Sequence, residues 1–271
     1  MKQRPVFPAR LHQTGAAATG GSRPRVATAS PDGGSGRSGR MQPRAAVVVP
    51  AFGGRATIGA VVARRSMVQK LVAQGLADRL VASAMEAVER HHFVDSALEA
   101  QAYEDTSLPI GLGQTISKPG VVARMIALLR NGRPERLGRV LEIGTGCGYQ
   151  AAVLSMVATE VYSIERLRQL HEKARENLRP MRLATLHLLF GDGMAGFAKG
   201  APYAGIIAAA GGDNVPVAWT DQLAVGGRLV APVIQQRSGG QALVVIDRTP
   251  AGLQQSICEA VHFVPLKSGV A

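Results

Sequence analysis

The residues best suited to chemistry in this chain are three alternating glycines and the acids that follow them. Gly144, Gly146 and Gly148 come directly after the run Val140-Leu141-Glu142-Ile143, and the segment Gln150–Leu154 behind them has good helix formers and an apolar face. Glycine tolerates a left-handed backbone and lets a ligand approach the chain closely. A strand ending in such a turn is therefore where an open α/β sheet seats a ligand. The dinucleotide fingerprint places its third glycine three positions after the second. Here the spacing is G-x-G-x-G, which argues against a nicotinamide or flavin. Glu165 lies 21 residues past Gly144 at the end of a second apolar stretch, where a carboxylate can accept both hydroxyl protons of a ribose. Asp192, between Gly191 and Gly193, closes a third stretch. It is placed to accept from an adenine amino group, although Asp and Gly are also ordinary turn residues.

A second group lies upstream. The segment from Tyr103 to Pro119 is rich in turn residues yet carries Leu108, Ile110, Leu112 and Ile116, a mixture that suits the lining or lid of a pocket. Ser117 ends this segment, and Lys118-Pro119-Gly120 opens the next helix. By pattern alone, capping that helix is the better reading of Ser117.

The elements that must position these groups follow from periodicity. Order is expected to begin near Met67, with a helix carrying Val68, Leu71 and Val72 that Gly75 closes. Asp78 starts a second helix with Leu80, Val81, Ala84, Met85 and Val88 inside. His91 and His92 after it read as surface or helix-end residues, because no partner cluster accompanies them. Strands are expected over 139–143, 160–164, 183–190, 203–210, 228–233, 241–247 and 257–264, with a helix over 215–225 and a turn at Gly226-Gly227. The near-unbroken apolar run Tyr203–Ala210 suits a sheet covered on both faces. Alternation of strand and helix gives one doubly wound α/β domain with a helical preface.

Composition narrows the function classes. No apolar run approaches the ~20 residues of a membrane helix. The two cysteines, Cys147 and Cys258, have neither metal-site nor disulfide-framework spacing, so no metal is expected and a reducing, cytoplasmic setting is. The net charge of +12 is uneven: residues 1–65 hold 11 Lys/Arg against Asp32 alone, whereas 66–271 hold 20 against 18 Asp/Glu. The body therefore offers no basic groove for nucleic acid. The Gly/Pro/Ser/Arg-rich leader over 1–65 reads as a disordered basic tail, ahead of a single folded domain over 66–271.

Several stretches together resemble one family. Phe93-Val94, LPIGLGQTIS over 108–117, VVARM over 121–125, VLEIGTGCGYQAAVLS over 140–155, Glu165, GDG over 191–193 and HFVPL over 262–266 are similar to the protein-L-isoaspartate O-methyltransferases. The GQTIS stretch is the family-specific piece. The resemblance implies a methyltransferase domain over 66–271, with the Rossmann-like class I fold and a mostly parallel seven-stranded sheet. It implies S-adenosyl-L-methionine as cofactor, isoaspartyl-containing proteins and peptides as partners, and a monomer. The implied cofactor contacts are Glu142, Gly144, Thr145, Gly146, Gly148, Glu165, Asp192 and Gly193. The implied substrate contacts are Leu108, Ile110, Gln114, Thr115, Ile116 and Ser117, and Ser117 matches the family's active-site serine. Three positions depart from the family pattern. Gly120 stands where a larger residue is common, which implies a looser helix start. Ala204 and Ala209 replace an aspartate and a threonine. Two rival readings are a nucleic-acid methyltransferase guided by the leader and a non-catalytic cofactor-binding protein.

Overall fold

The computed structural model describes residues 57–235 and 239–271; the expectations for residues 1–56 lie outside them. Helix α1 (Ile58–Ala73) begins nine residues before Met67, with the Thr57 hydroxyl accepting from Ala60 N at 3.2 Å. The basic leader therefore does not run through 58–65, which its composition had suggested. Those residues are helical but contribute nothing fully buried; burial starts at Met67 and Val68. Arg65 and Arg64 reach Glu86 and Glu89 instead. Helix α2 (Arg79–Ala87) is capped by Asp78, whose Oδ1 accepts from Leu80 N and Val81 N.

A 3-10 turn over Arg90–Phe93 follows. His91 Nδ1 lies 2.6 Å from the Tyr103 hydroxyl, and His92 Nε2 lies 3.0 Å from Glu89 Oε2. The paired histidines thus belong to a polar network of the preface. Arg90 is wholly buried, with Nε donating to Ala102 O at 2.8 Å and its guanidinium 4.9 Å above the Tyr149 ring.

The segment expected as a loop forms a small antiparallel hairpin, β1 (Leu108–Gly111) and β2 (Gln114–Ile116). Helix α3 (Pro119–Arg130) starts on Pro119 with Lys118 at the cap position and no side-chain cap. Ser117 does not cap it. Asp105 secures the helix start instead, its Oδ1 accepting from Gly120 N at 2.8 Å. A Cβ on residue 120 would stand 3.0 Å from that oxygen. Gly120 thus admits the carboxylate, and the helix start is held, not loosened.

The main sheet has seven strands in the order β5-β4-β3-β6-β7-β8-β9. They are β3 (Leu137–Ile143), β4 (Ala158–Glu165), β5 (Leu186–Phe190), β6 (Tyr203–Ala208), β7 (Leu223–Ile234), β8 (Gln241–Thr249) and β9 (Gly252–Val261). Pairing is parallel from β5 through β7 and antiparallel at β7–β8 and β8–β9. This is the doubly wound, mostly parallel architecture read from the alternation. Helices α4 (Tyr149–Val157) and α5 (Arg168–Leu178) follow β3 and β4. The expected helix over 215–225 is only α6 (Val217–Asp221), because β7 begins at Leu223 and takes Gly226-Gly227 into an irregularity of its pairing with β6.

Side-chain alternation puts Val140, Val161, Ile207 and Val230 on the face that α1–α5 cover. Leu141, Ile143, Ile206, Ala208 and Leu229 lie on the other, around Trp219 of α6. Both faces are closed, which is why these strands read as continuous apolar runs.

Among charged groups in the interior, Arg130 ties the preface to the sheet layer. Its Nε donates to Asp78 Oδ2 at 2.8 Å, and its other nitrogens donate to Glu135 O and Arg133 O. Both partners are nearly out of water, with side-chain exposures of 2% and 10%. Removing one charge strands the other. Arg130→Met is expected to cost about 3–5 kcal/mol, read from urea unfolding; a loss indistinguishable from zero would mean that Asp78 is satisfied without Arg130.

Candidate active site

Strand β3 pairs with β4 on one edge and β6 on the other. A crevice opens where the connections from these strands diverge, at their C-terminal ends. It holds a cavity of about 880 Å³. One wall is the turn after β3: Gly144, Gly146 and Gly148 have φ of 91°, 56° and 93°, all left-handed. Gly144 N and Thr145 N donate to Ile164 O, and Gly148 N donates back to Thr145 O. A Cβ on Gly146 would stand 3.3 Å from Ile110 Cδ1, and one on Gly148 only 2.7 Å from Leu178 Cδ1. The turn thus needs glycine for two reasons: conformation and the close approach of hairpin and α5. Ala209 lines the cavity as well, with its Cβ 3.5 Å from where a Cβ on Gly144 would be. A small residue there lets the end of β6 crowd the turn.

Glu165 ends β4 in this wall and is buried. Its Oε2 accepts from Gly146 N at 2.8 Å and its Oε1 from Leu167 N at 2.9 Å. The opposite wall is the hairpin, with Ile110, Gln114, Thr115, Ile116 and Ser117. Lys173 Nζ reaches Ile110 O at 3.4 Å and links the hairpin to α5. Ser117 is half-buried, and its hydroxyl has no hydrogen-bond partner among the described residues. The cavity brings together these five hairpin residues with Gly144, Thr145, Gly146, Glu165 and Gly193.

Four residues that the sequence placed in the site do not line the cavity. Leu108 is as buried as Ile110, two positions along the same face of β1, but packs in the core away from the cavity. Gly148 packs against α5. Asp192 has both oxygens engaged, Oδ1 by Met194 N at 2.8 Å and Oδ2 by Gly269 N at 2.6 Å. Glu142 is fully buried beneath the glycine turn. There Ser163 Oγ donates to its Oε2, Thr145 Oγ1 lies 2.6 Å from Ser163 Oγ, and its Oε1 has no partner.

Sequence reasoning missed another wall. Val264, Pro265, Leu266, Lys267 and Ala271 line the cavity, although the HFVPL stretch had carried only resemblance. Leu266 N and Gly211 N bond in alternation across 264–266. Arg168 N donates to Ala271 O at 2.7 Å, and Ala271 N donates to Arg166 O at 2.9 Å. No local signal marks this tail, since its place depends on partners some 55 to 105 residues away. Tyr149 and Gln150, first in α4, also line the cavity. The Cys147 thiol is buried, and burial pushes it up from its ordinary value, so it is no nucleophile.

Burial raises the Glu142 carboxyl to about 8, opposed by the hydrogen bond from Ser163 and by the nearby Gln150 amide and reinforced by Glu165. Glu142 is therefore protonated at neutral pH while its unfolded counterpart is ionised. Its contribution to stability is full below about pH 4.3 and is lost as pH rises through about 8. Glu142→Gln, neutral at every pH, is expected to flatten the fall in unfolding free energy between about pH 5 and pH 9. Denaturant titrations across that range check it, and an unchanged slope would assign the fall to other groups.

Comparisons with known proteins give the chain's family. A family model described as protein-L-isoaspartate(D-aspartate) O-methyltransferase matches residues 62–271. A protein-L-isoaspartate O-methyltransferase of Methylibium petroleiphilum is 62% identical over 208 residues, covering 76% of this chain and 77% of its own. The enzyme of the same name from Burkholderia mallei is 52% identical over 264 residues, covering 97% of this chain and 78% of its own; that alignment extends into the basic leader. A solved protein-L-isoaspartate O-methyltransferase superposes with a TM-score of 0.69 at 27% identity, covering 76% of this chain and 67% of its own. A Plasmodium falciparum protein of the same description, in complex with S-adenosyl-L-homocysteine, shares the fold with a TM-score of 0.64 at 22% identity, over 75% of this chain and 98% of its own. With 62–271 matched end to end, the chain belongs to the protein-L-isoaspartate(D-aspartate) O-methyltransferase family.

Proposed function

We infer that the protein transfers the methyl group of S-adenosyl-L-methionine to the α-carboxylate of L-isoaspartyl residues in damaged proteins and peptides, the step that starts their return to aspartyl. The observation that carries this reading is one cavity shared by the glycine turn, the buried Glu165 carboxylate and the hairpin that ends at Ser117. The family membership and the names of the relatives support the same reaction.

The residues present fit the cofactor. A left-handed glycine turn lines the cavity and presents backbone without side chains at Gly144 and Gly146, so a ligand can approach it closely. Glu165 offers a buried carboxylate at the cavity wall. Its two oxygens each hold one backbone N–H and keep further lone pairs for the ribose hydroxyls. Asp192 does not itself line the cavity but adjoins Gly193, which does, and keeps lone pairs in the same way; we assign it the adenine amino group. Gly144, Thr145, Gly146 and Gly193 would line the methionine and ribose portions. When bound, S-adenosyl-L-methionine supplies an electrophilic methyl group on a sulfonium.

The acceptor needs no general base, because a carboxyl group ordinarily titrates near about pH 4 and is ionised at neutral pH. What the chain supplies is position and dryness. Ser117, with its free hydroxyl, orients the incoming carboxylate, and Gln114 and Thr115 hold the neighbouring peptide. Ile110 and Ile116 exclude water. Positioning of this kind can supply on the order of 7–11 kcal/mol of barrier lowering, enough to dominate where no proton moves. We place the activity in the cytoplasm, on a monomer, and not on nucleic acid: Lys/Arg and Asp/Glu nearly balance over 66–271. Among the described residues no helix is long and apolar enough to cross a membrane.

Three measurements test the reading. The chain should methylate an isoaspartyl peptide and leave its aspartyl counterpart unlabelled, and equal labelling of both would refute the specificity. Ser117→Ala should lower turnover roughly 10- to 100-fold, the worth of one hydrogen bond to a charged group, with cofactor affinity unchanged; full turnover would remove Ser117 from the site. For the cofactor end, Glu165→Ala should weaken S-adenosyl-L-homocysteine binding roughly 100-fold by calorimetry. Wild-type affinity would overturn the ribose assignment.

A further inference from the structure

The tip of the hairpin is built in an unusual way. Leu112 and Gly113 are the two residues between β1 and β2, with φ of 53° and 68°, and Gly111 before them has φ of 97°. Two central residues with positive φ suit the twist of a two-residue hairpin turn, which is why Asn, Asp or Gly usually fills the first position. A leucine there is strained, because its Cβ crowds the backbone in the left-handed region. Among the described residues, three non-glycine residues have positive φ: Leu112, Asn131 and Arg182. Asn131 ends α3 and Arg182 ends a 3-10 turn, where left-handed residues are ordinary helix terminators. Leu112 has no such explanation.

Its side chain gains nothing from the fold in return. Leu112 is 50% exposed, whereas Ile110 and Ile116, on either side of it in the same hairpin, are 4% exposed. Other large apolar residues are exposed on this protein, among them Val62, Val217 and Leu253, but they lie away from the cavity. Leu112 lines it, on the same wall as Ser117. The Leu112 carbonyl accepts from Gln114 Nε2 at 3.3 Å, so the tip is braced by its own hairpin. A strained, water-exposed apolar group at the mouth of a binding cavity is a place to look for function.

We propose that Leu112 is a specificity-determining residue, packing on an apolar side chain next to the isoaspartyl residue of the peptide substrate. The assignment rests on the reaction inferred above. Substrate binding covers the exposed half of the leucine, and the strain is tolerated because the contact is made outside the folded chain. A polar neighbour in the peptide makes no such contact, and its affinity falls.

The test compares two isoaspartyl peptides, identical except for Leu or Ser beside the isoaspartyl residue, on the full chain and on Leu112→Asn and Leu112→Gly. The full chain should favour the Leu peptide by roughly fivefold in kcat/KM, the worth of burying about half a leucine side chain, with the difference in KM. Both variants should lose that preference, bind S-adenosyl-L-homocysteine as before and melt no lower than the unaltered chain, since Asn and Gly suit the left-handed position. Two results overturn the proposal alone: no preference in the full chain, or a preference that survives in both variants. If the full chain methylates neither peptide, the inferred reaction fails first and the Leu112 assignment falls with it.

Discussion

The sheet's change of direction at β3 is the constraint on which the rest depends. Because β4 and β6 flank β3, successive connections leave β3 and its neighbours in opposite senses, and no backbone fills the gap beyond their C-terminal ends. A ligand site exists there before any side chain is considered. The turn that leaves β3 must then pass beneath the hairpin and beside α5. With Ile110 Cδ1 and Leu178 Cδ1 at 3.3 Å and 2.7 Å from where a Cβ would stand on Gly146 and Gly148, glycine is required by packing as much as by φ. Beneath the turn, Glu142 bonds to Ser163 and sits in the core at a cost. The small buried network 142–163–145 thus fixes the turn's geometry in preference to maximising stability.

The lid is held by groups far from the chemistry. Arg90 reaches Ala102 O and Thr106 O from below. Asp105 anchors the start of α3 immediately after Ser117. These contacts fix both ends of the hairpin region while Lys173 fixes Ile110 from the side. A hydroxyl proposed to orient substrate is only as well placed as the segment that carries it, and here the attachments come from α5 and from the segment between the preface and the hairpin.

Much of this was legible in the sequence because both faces of the sheet are covered. The run Tyr203–Ala208 stays apolar throughout, residues 140–143 are apolar but for Glu142, and the glycine turn and Glu165 fall at strand ends where periodicity stops. What was not legible depends on distant partners. Composition could not separate Ile58–Arg65 from the leader, since that half of α1 buries little and is secured by Thr57 and by ion pairs to Glu86 and Glu89. Gly226-Gly227 reads as a turn locally, yet the neighbouring strand takes it into β7 as an irregularity. Ser117 looked like a cap by its spacing before Pro119, and Asp105, 15 residues before Gly120, took that task. The wall at 264–271 gave no signal because Gly211, Arg166 and Arg168 place it.

Freeing Ser117 from capping matters for the chemistry. A hydroxyl committed to a helix start would present its oxygen to backbone N–H groups and have little left to orient a substrate. With the helix start secured by Asp105, the Ser117 hydroxyl can donate to a carboxylate in a cavity whose remaining lid is mainly aliphatic. That division also fits a reaction in which opposite charges on acceptor and sulfonium vanish together. Strong, fixed charges beside the reacting atoms would favour the separated charges of the ground state and raise the barrier. In the proposed role, Ser117 as a single neutral donor would orient the acceptor at little cost of that kind, and the described lid carries no ionised side chain between Leu108 and Ser117.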